Sequence, residues 1–408
     1  MNRRHFLWTT VTAATGMAAS PGLFAAEKAK PVALGVPVPG APFVTAPTGD
    51  GVTVVWGVTS PCTGYVEYGD TPELGRIAYG GIDGLRPFDT HVLSVRLTGL
   101  KPGARVHYRT VTAPIAFPNH YSIKRGEAVA SPVFDFVLPD ASTGAKIAVW
   151  NDIHQQKPTV VALNRLTEEF SPSLLVWNGD MVADQFNKES DFHGPFLEPA
   201  EGVAPASKRV LYFVRGNHDA RGSIARDLPK YAPRALADGY HNFLRIGQVA
   251  ILSLDTGDDK EGPAIYGGMG DFAAYREHQL AWLKTAVTQP DYLSAPFKIL
   301  LCHIPLRWKT PKEKGAWCSD GDARWSETLA KAGIRAVISG HTHEFWHDAP
   351  NPERPFHQIV SGGPQIITSG WSPTPASAVL IEADAGKMTI RVVEADSRKE
   401  LLSLAFDA

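Results

Sequence analysis

The sequence predicts an antiparallel β-sandwich followed by a layered α/β/β/α domain. Three observations carry that prediction. From Gly51 to about Leu138, apolar and polar residues alternate with a period of two and no helical period intervenes. After Pro139, continuous apolar runs alternate with amphipathic helical patterns. The apolar runs of this second half end, one after another, in aspartate, asparagine or histidine.

At 408 residues the chain exceeds one typical core, so two domains are expected, over 43–138 and 139–408. A hydrophobic content of 44% and a net charge of -2 describe an ordinary globular protein. They give no electrostatic case for nucleic acid or anionic lipid, and neither is expected as a partner. The first residues carry adjacent Arg3 and Arg4, then Phe6 and Leu7, then an Ala- and Thr-rich stretch ending in small residues at Ala25 and Ala26. Pro21 and Gly22 interrupt this stretch, which is too short for a membrane span. Residues 1–26 resemble a twin-arginine export signal, the alternative being a frayed basic terminus; 27–42 reads as a linker. The resemblance implies an exported, periplasmic or extracellular protein, and it favours a metalloprotein because such signals carry folded cargo. Cys62, Cys302 and Cys318 have no framework spacing, so free thiols are expected.

In the first domain Val52, Val54, Trp56 and Val58 share one face, and Thr53, Val55 and Thr59 the other, the signature of a half-buried antiparallel strand. "GYVEYG" and "HVLSVRLTGLKPGARVHYRTVT" continue the alternation, with "KPG" as a turn. The stretch "LTGLKPGARVHYRT" resembles a fibronectin type III module. That family's tyrosine falls four residues after the proline, where this chain has Val106; Tyr108 comes two residues later.

The second domain reads as strands "KIAVW", "SLLVW", "RVLYFV", "VAILSL", "FKILLC" and "RAVIS". Between them, helices place Val160, Leu163, Leu166 and Phe170 on one face, then Leu280, Leu283 and Val287, then Trp325, Leu329 and Ala332 before Gly333. The tail from Ser377 returns to alternation, as a hairpin at the sheet edge.

Five strand ends carry metal-ligand residue types. "KIAVW" leads to Asp152 and His154, "SLLVW" to Asp180, "RVLYFV" to Asn217 and His218, "FKILLC" to His303, and "RAVIS" to His341 and His343. Carboxyl strand ends are where open α/β sheets place their sites. Oxygen donors mixed with imidazoles suit iron, zinc or manganese. Seven such side chains exceed what one ion takes, and two divalent or trivalent ions sharing a carboxylate accommodate them.

The ordered series "DIH", "NGD", "GNHD", "HIP" and "GHTH" over about 145–345 resembles the calcineurin-like metallophosphoesterase superfamily. With a β-sandwich before it, the chain looks like purple acid phosphatases and their bacterial relatives. The resemblance implies that Asp152, His154 and His343 hold a first metal and Asn217, His303 and His341 a second, with Asp180 bridging. It implies that His218 protonates the leaving oxygen or binds phosphate; the plainer alternative is a histidine bonded to Asp219. The implied reaction is attack of a metal-bridging hydroxide on a small-molecule phosphate ester, a monoester first, with phosphodiesterase or nucleotidase as the alternative. A reading of another class is a surface binding protein with a structural metal site.

Two departures separate the chain from purple acid phosphatase itself. Ala183 stands where that family's iron-binding tyrosine would be, so even an iron-loaded form is expected to lack the purple band, and Asp184 lies one residue past that position. The "HIPLRWKTPKEKGAW" segment lacks the plant enzymes' histidine pair; its Arg307, Trp308, Lys309, Lys312 and Lys314 read as a solvated loop, or as cations facing phosphate. A second exported family, of the alkaline phosphatase D type, also joins a β-domain to such a domain, but its site departs from the "GNHD" and "GHTH" intact here. Three insertions, at 184–207, 257–272 and 307–320, are candidate lids.

Overall fold

The computed structural model describes residues 34–142, 144–260, 265–307, 321–363 and 375–408. The signal-like segment 1–26, the first part of the linker, and Trp308, Lys309, Lys312, Lys314 and Cys318 lie outside the described residues. The first half forms β1 (Phe43–Thr48), β2 (Gly51–Gly57), β3 (Cys62–Gly69), β4 (Arg76–Ala78), β5 (Val92–Leu97), β6 (Arg105–Asn119), β7 (Ser122–Arg125), β8 (Val129–Ala130) and β9 (Phe134–Val137). Next come β10 (Ala145–Trp150), β11 (Leu174–Asn178), β12 (Val210–Val214), β13 (Asn242–Ile246), β14 (Val249–Ser253), β15 (Phe297–Leu301) and β16 (Ala336–Ser339). The chain finishes with β17 (Trp346–Asp348), β18 (His357–Val360), β19 (Ser377–Ala383), β20 (Lys387–Glu394) and β21 (Glu400–Asp407). The long helices are α1 (Lys157–Phe170), α2 (Phe272–Ala286) and α3 (Gly321–Lys331). No described helix is long and apolar enough to cross a membrane.

Two sheets face each other in the α/β part, one containing β19-β10-β11-β12 and the other ordered β13-β14-β15-β16-β18-β17. Alternation along each strand divides the core. Ile147, Val149, Leu174 and Val176 point inward and join Ile251, Ile299 and Ile338 of the opposite sheet in one cluster. Their neighbours Ala148, Trp150, Leu175 and Trp177 point outward and pack on Val160, Leu163, Leu166 and Phe170 of α1. On the other outer face Leu252, Leu300 and Val337 pack on Leu283 of α2 and on Trp325 and Leu329 of α3. Each such large apolar side chain contributes about 1.5–3 kcal/mol on burial, so all three layers follow from the periodicity of the sequence. Pro158 opens α1, and Ser171, in the left-handed region at φ 52°, closes it with its N–H on Thr167 O.

The first half departs from an independent module. β1 pairs in parallel with β12, Val44 opposite Val210, so β1-β2-β5 extends the first α/β sheet to nine strands. The other sheet, β4-β3-β6-β7 with β8 and β9 also on β6, packs over it. Trp56 Nε1 donates to Thr112 Oγ1 across that layer at 2.9 Å. Tyr108 reaches past its own sheet and donates its hydroxyl to Ser207 O at 2.8 Å. Periodicity within a strand says nothing of such partners. The tail is also longer than a hairpin: β19 pairs with β10, and β20 and β21 follow antiparallel at the edge. Cys62 and Cys302 are buried free thiols.

Candidate metal centre

β10, β11 and β12 of one sheet and β15 and β16 of the other end at a common seam, and short backbone bonds lace their loops together. Asp152 N donates to Gly179 O (3.2 Å), His154 N to Asp180 O (3.0 Å) and Gly340 N to His303 O (2.9 Å). The Asn178 amide spans the seam, donating to Asn151 Oδ1, Cys302 O and Ile338 O at 2.8–3.3 Å. Asp152, His154, Asp180, His341 and His343 all have positive φ, between 45° and 70°. Non-glycine residues in this region are strained by about 1–3 kcal/mol each, a cost concentrated at functional sites. Gly179 is forced for a second reason: any Cβ there would collide with the His303 ring.

The structure brings all of the sequence-predicted residues together. Asp152, His154 and His343 form one group, and Asp180, His303 and His341 another, each with donor atoms within 4.8 Å of one another. Asp180 Oδ2 links them, 3.1 Å from His303 Nε2 of its own group and 3.7 Å from His154 Nε2 of the other. Asn217 Oδ1 is 2.9 Å from His341 Nδ1. His343 Nε2 sits 2.9 Å from His154 Nε2 and 3.5 Å from Asp152 Oδ1.

The chemistry of this donor set fits cations. His154 Nδ1 is 3.0 Å from Val182 O and His303 Nδ1 is 2.9 Å from Asn178 O, so each Nδ1 carries the proton and donates it. In the neutral rings Nε2 is then a lone pair aimed into the cluster, the second-shell arrangement typical of ligating histidines. The buried His303 Nε2 faces two carboxylates, 3.1 Å from Asp180 Oδ2 and 3.7 Å from Asp152 Oδ1. A lone pair opposite carboxylate oxygens is repulsive unless positive charge stands between them. Burial works to lower the His303 pKa, yet Asp180 and Asp152 outweigh it and lift it to about 10. Burial lowers His154 to about 4 and, with His154 adding to it, His343 to about 3, which keeps both in the ligating form. Burial raises the Asp152 carboxyl, with Asp180 adding to the push against His303.

A supporting shell was less visible in the sequence. Asp219 does not serve His218: its buried carboxylate accepts from Asp180 N (2.9 Å), Met181 N (3.2 Å) and Gly216 N (2.9 Å), clamping the loop that carries Asp180. The His218 ring instead meets Asp184 O through Nδ1 (3.2 Å) and Arg221 Nη1 through Nε2 (3.0 Å), with Asp180 Oδ2 at 3.9 Å. Burial first, then the Arg221 charge, lower its pKa against the pull of Asp180. Arg221 is itself held by Asp258 (2.8 Å) and Asp259 (2.8 Å), and Tyr266 donates to Asp258. These three partners lie in the segment expected to be a lid. Ala220 and Gly222, on either side of Arg221, line a cavity of about 410 Å³ that also takes in Arg215, Arg226, Arg234, Tyr266, Phe272 and Tyr275. Arg307 is bound to Asp348 at 2.7 Å.

Residues 145–345 match the calcineurin-like phosphoesterase family. That segment is a calcineurin-like metallophosphoesterase domain. Two solved structures resemble the chain far beyond it. Purple acid phosphatase PPD1 from seeds of yellow lupin (Lupinus luteus) is 14% identical with a TM-score of 0.66, covering 91% of this chain and 74% of that one. PhoD is 13% identical with a TM-score of 0.61, covering 90% of each chain. At such identities the likeness is one of fold. No curated protein matches the sequence.

Proposed function

We propose that the protein is an exported phosphoester hydrolase working through a dinuclear metal centre, with phosphate monoesters as preferred substrates. One observation carries the dinuclear reading: Asp180 Oδ2, a donor of one three-residue group, lies 3.1 Å from His303 Nε2 of that group and 3.7 Å from His154 Nε2 of the other. Asp152, His154 and His343 would hold one ion, Asn217, His303 and His341 the other, with Asp180 shared. When bound, the ions supply Lewis acidity toward a phosphoryl oxygen and lower the pKa of a water nucleophile.

The remaining work falls to side chains. His218 and Arg221 meet at one edge of the cluster, and Arg221 Nη1 is the guanidinium corner turned away from Asp258 and Asp259 and toward His218. An arriving phosphate can take that N–H, and its negative charge beside the ring favours uptake of a solvent proton at the freed His218 Nε2, which then passes to the departing oxygen, while Asp184 O fixes the ring through Nδ1. The Arg221 N–H at this edge can give a phosphoryl oxygen a charge-assisted hydrogen bond. The loop clamp of Asp219 holds Asp180 in place throughout.

A nucleotidase reading is favoured by one feature, the cavity beyond Arg221, whose size and mixture of tyrosines and arginines suit a nucleoside. Hydrolysis of alkyl phosphates, phosphodiesters and nucleotides by the metal-loaded protein tests both readings. Turnover of monoesters without diesters is expected; diesters hydrolysed faster would reverse the preference. No hydrolysis of any class, with metals bound, would leave a structural metal site. The export reading rests on Arg3 and Arg4 with the apolar stretch after them, and loss of secretion in an Arg3→Lys, Arg4→Lys double variant is its test.

A further inference from the structure

Away from the dinuclear centre, where β13 begins and α2 passes over it, Asp238, His241 and His278 converge, with donor atoms all within 4.8 Å of one another. His278 Nε2 is 2.9 Å from Asp238 Oδ2, and His241 Nε2 is 3.8 Å from Asp238 Oδ1. His241 is the telling member. Its side chain is fully buried, yet neither ring nitrogen has a hydrogen-bond partner. A buried polar group left in that state costs about 1–3 kcal/mol, and native structures rarely leave one unexplained.

The local sequence holds the ring at this place. Tyr275, His278 and Trp282 fall at i, i+3 and i+7 of α2 and so share one face, which adjoins that of the buried Arg276, Gln279, Leu283 and Ala286. Trp282 packs edge-on against His241 with ring centroids 4.7 Å apart. The Tyr275 hydroxyl accepts from Tyr240 N at 3.0 Å and anchors the approach to the strand. Gly239 has no Cβ because one would stand 2.6 Å from His241 Nδ1. Backbone therefore seals the Nδ1 side, while the other nitrogen faces Asp238.

We infer that Asp238, His241 and His278 form a separate site for one divalent transition ion, zinc by donor type. Two imidazoles and a carboxylate are a zinc ligand set, and a tetrahedral ion with bonds of about 2.0–2.1 Å needs donors about 3.3 Å apart. Each imidazole faces its own oxygen of the Asp238 carboxylate near that spacing, His278 Nε2 at 2.9 Å from Oδ2 and His241 Nε2 at 3.8 Å from Oδ1. Asp238 and His278 are half exposed, which gives an ion an entry path and leaves the fourth position to water. The ion would tie the start of β13 to α2. Asp238, Gly239, Tyr240 and Tyr275 also line the 410 Å³ cavity, so it would stiffen one cavity wall.

The test is metal counting on the chelator-stripped full chain. The protein is equilibrated with Zn(II), and its content is compared with that of His278→Ala and Asp238→Asn, both surface changes. Each variant should hold one equivalent less than the wild type and should lose part of the Zn(II)-induced rise in melting temperature. Co(II) should give the wild type an additional tetrahedral absorption that both variants lack. Equal Zn(II) content and equal spectra in all three proteins would overturn the inference. The difference is independent of the dinuclear centre: three ions against two supports both sites, one against none supports this site alone, and two against two leaves only the dinuclear one.

Discussion

The metal cluster and the flank beyond Arg221 lie side by side and are built on opposite principles. In the cluster the side chains leave strand ends that are buried and laced to one another, and five of the seven donors, Asp152, His154, Asp180, His341 and His343, sit at strained positive φ, so donor positions are fixed before any ion arrives. On the flank Arg221 is held by Asp258, Asp259 and Tyr266 from a single loop, and the adjoining cavity opens to solvent among arginines and tyrosines. Position is set by backbone in the first region and by ion pairs in the second. The metal-ligand residue types belong with the rigid region, and the cavity with the adjustable one.

The sharpest way to break this contrast is at Asp180. In Asp180→Asn the shared charge is lost while the histidines on both sides remain, so two cations would face each other with less compensation. Metal content and turnover should fall together, by more than the 10–100-fold typical of an outer-shell loss. Retention of both ions with normal turnover would contradict the shared position.

At the boundary between the regions stands His218. If it protonates the leaving group, His218→Ala with metals retained should cost about 10²–10⁴ in kcat on alkyl phosphates. The loss should be far smaller on nitrophenyl phosphates, whose phenolate leaves nearly unaided. Equal losses, expressed mainly in KM, would make His218 a phosphate-binding residue instead.

Asp219 tests whether preorganisation comes from the loop clamp. Asp219→Asn keeps the shape but replaces one acceptor oxygen by a donor, against three backbone N–H groups. Metal affinity should fall about 10–100-fold, measured by competition with a chromophoric chelator. An unchanged affinity would mean that the strand ends hold Asp180 without help.

The same contrast explains what was legible in the sequence. Asp152, His154, Asp180, Asn217, His303, His341 and His343 could be named because each follows an apolar strand by two to four residues, and parallel strands bring their ends together. The three apolar layers were legible for a similar reason, since period two and period 3.6 each assign a face. Asp219 was in plain view in "GNHD", but its carboxylate serves backbone groups 38 and 39 positions earlier, and no pattern encodes that. Arg221 was missed because its partners sit 37 and 38 residues downstream in a Gly-rich loop with no period. Continuity of β1 with β12 was hidden because the hydrophobic pattern of an edge strand does not name its neighbour.

The smallest effect is expected at the far end of the cavity. Arg234 lines it, is exposed, and makes no ion pair among the described residues. If the cavity receives the organic part of an anionic ester, Arg234 attracts it through solvent, where a single charge contributes about 0.2–1 kcal/mol and is screened by salt. Arg234→Ala should then raise KM by roughly two- to five-fold at low ionic strength, leave kcat unchanged, and lose its effect as salt approaches 1 M. Binding made equally in ground and transition states has this signature, because the guanidinium lies outside the reacting atoms. A fall in kcat of similar size would move Arg234 into the same class as Arg221, touching the phosphate itself. An unchanged KM for a nucleotide and for a small alkyl phosphate alike would detach the cavity from substrate binding and leave the flank as a structural support for Arg221 alone.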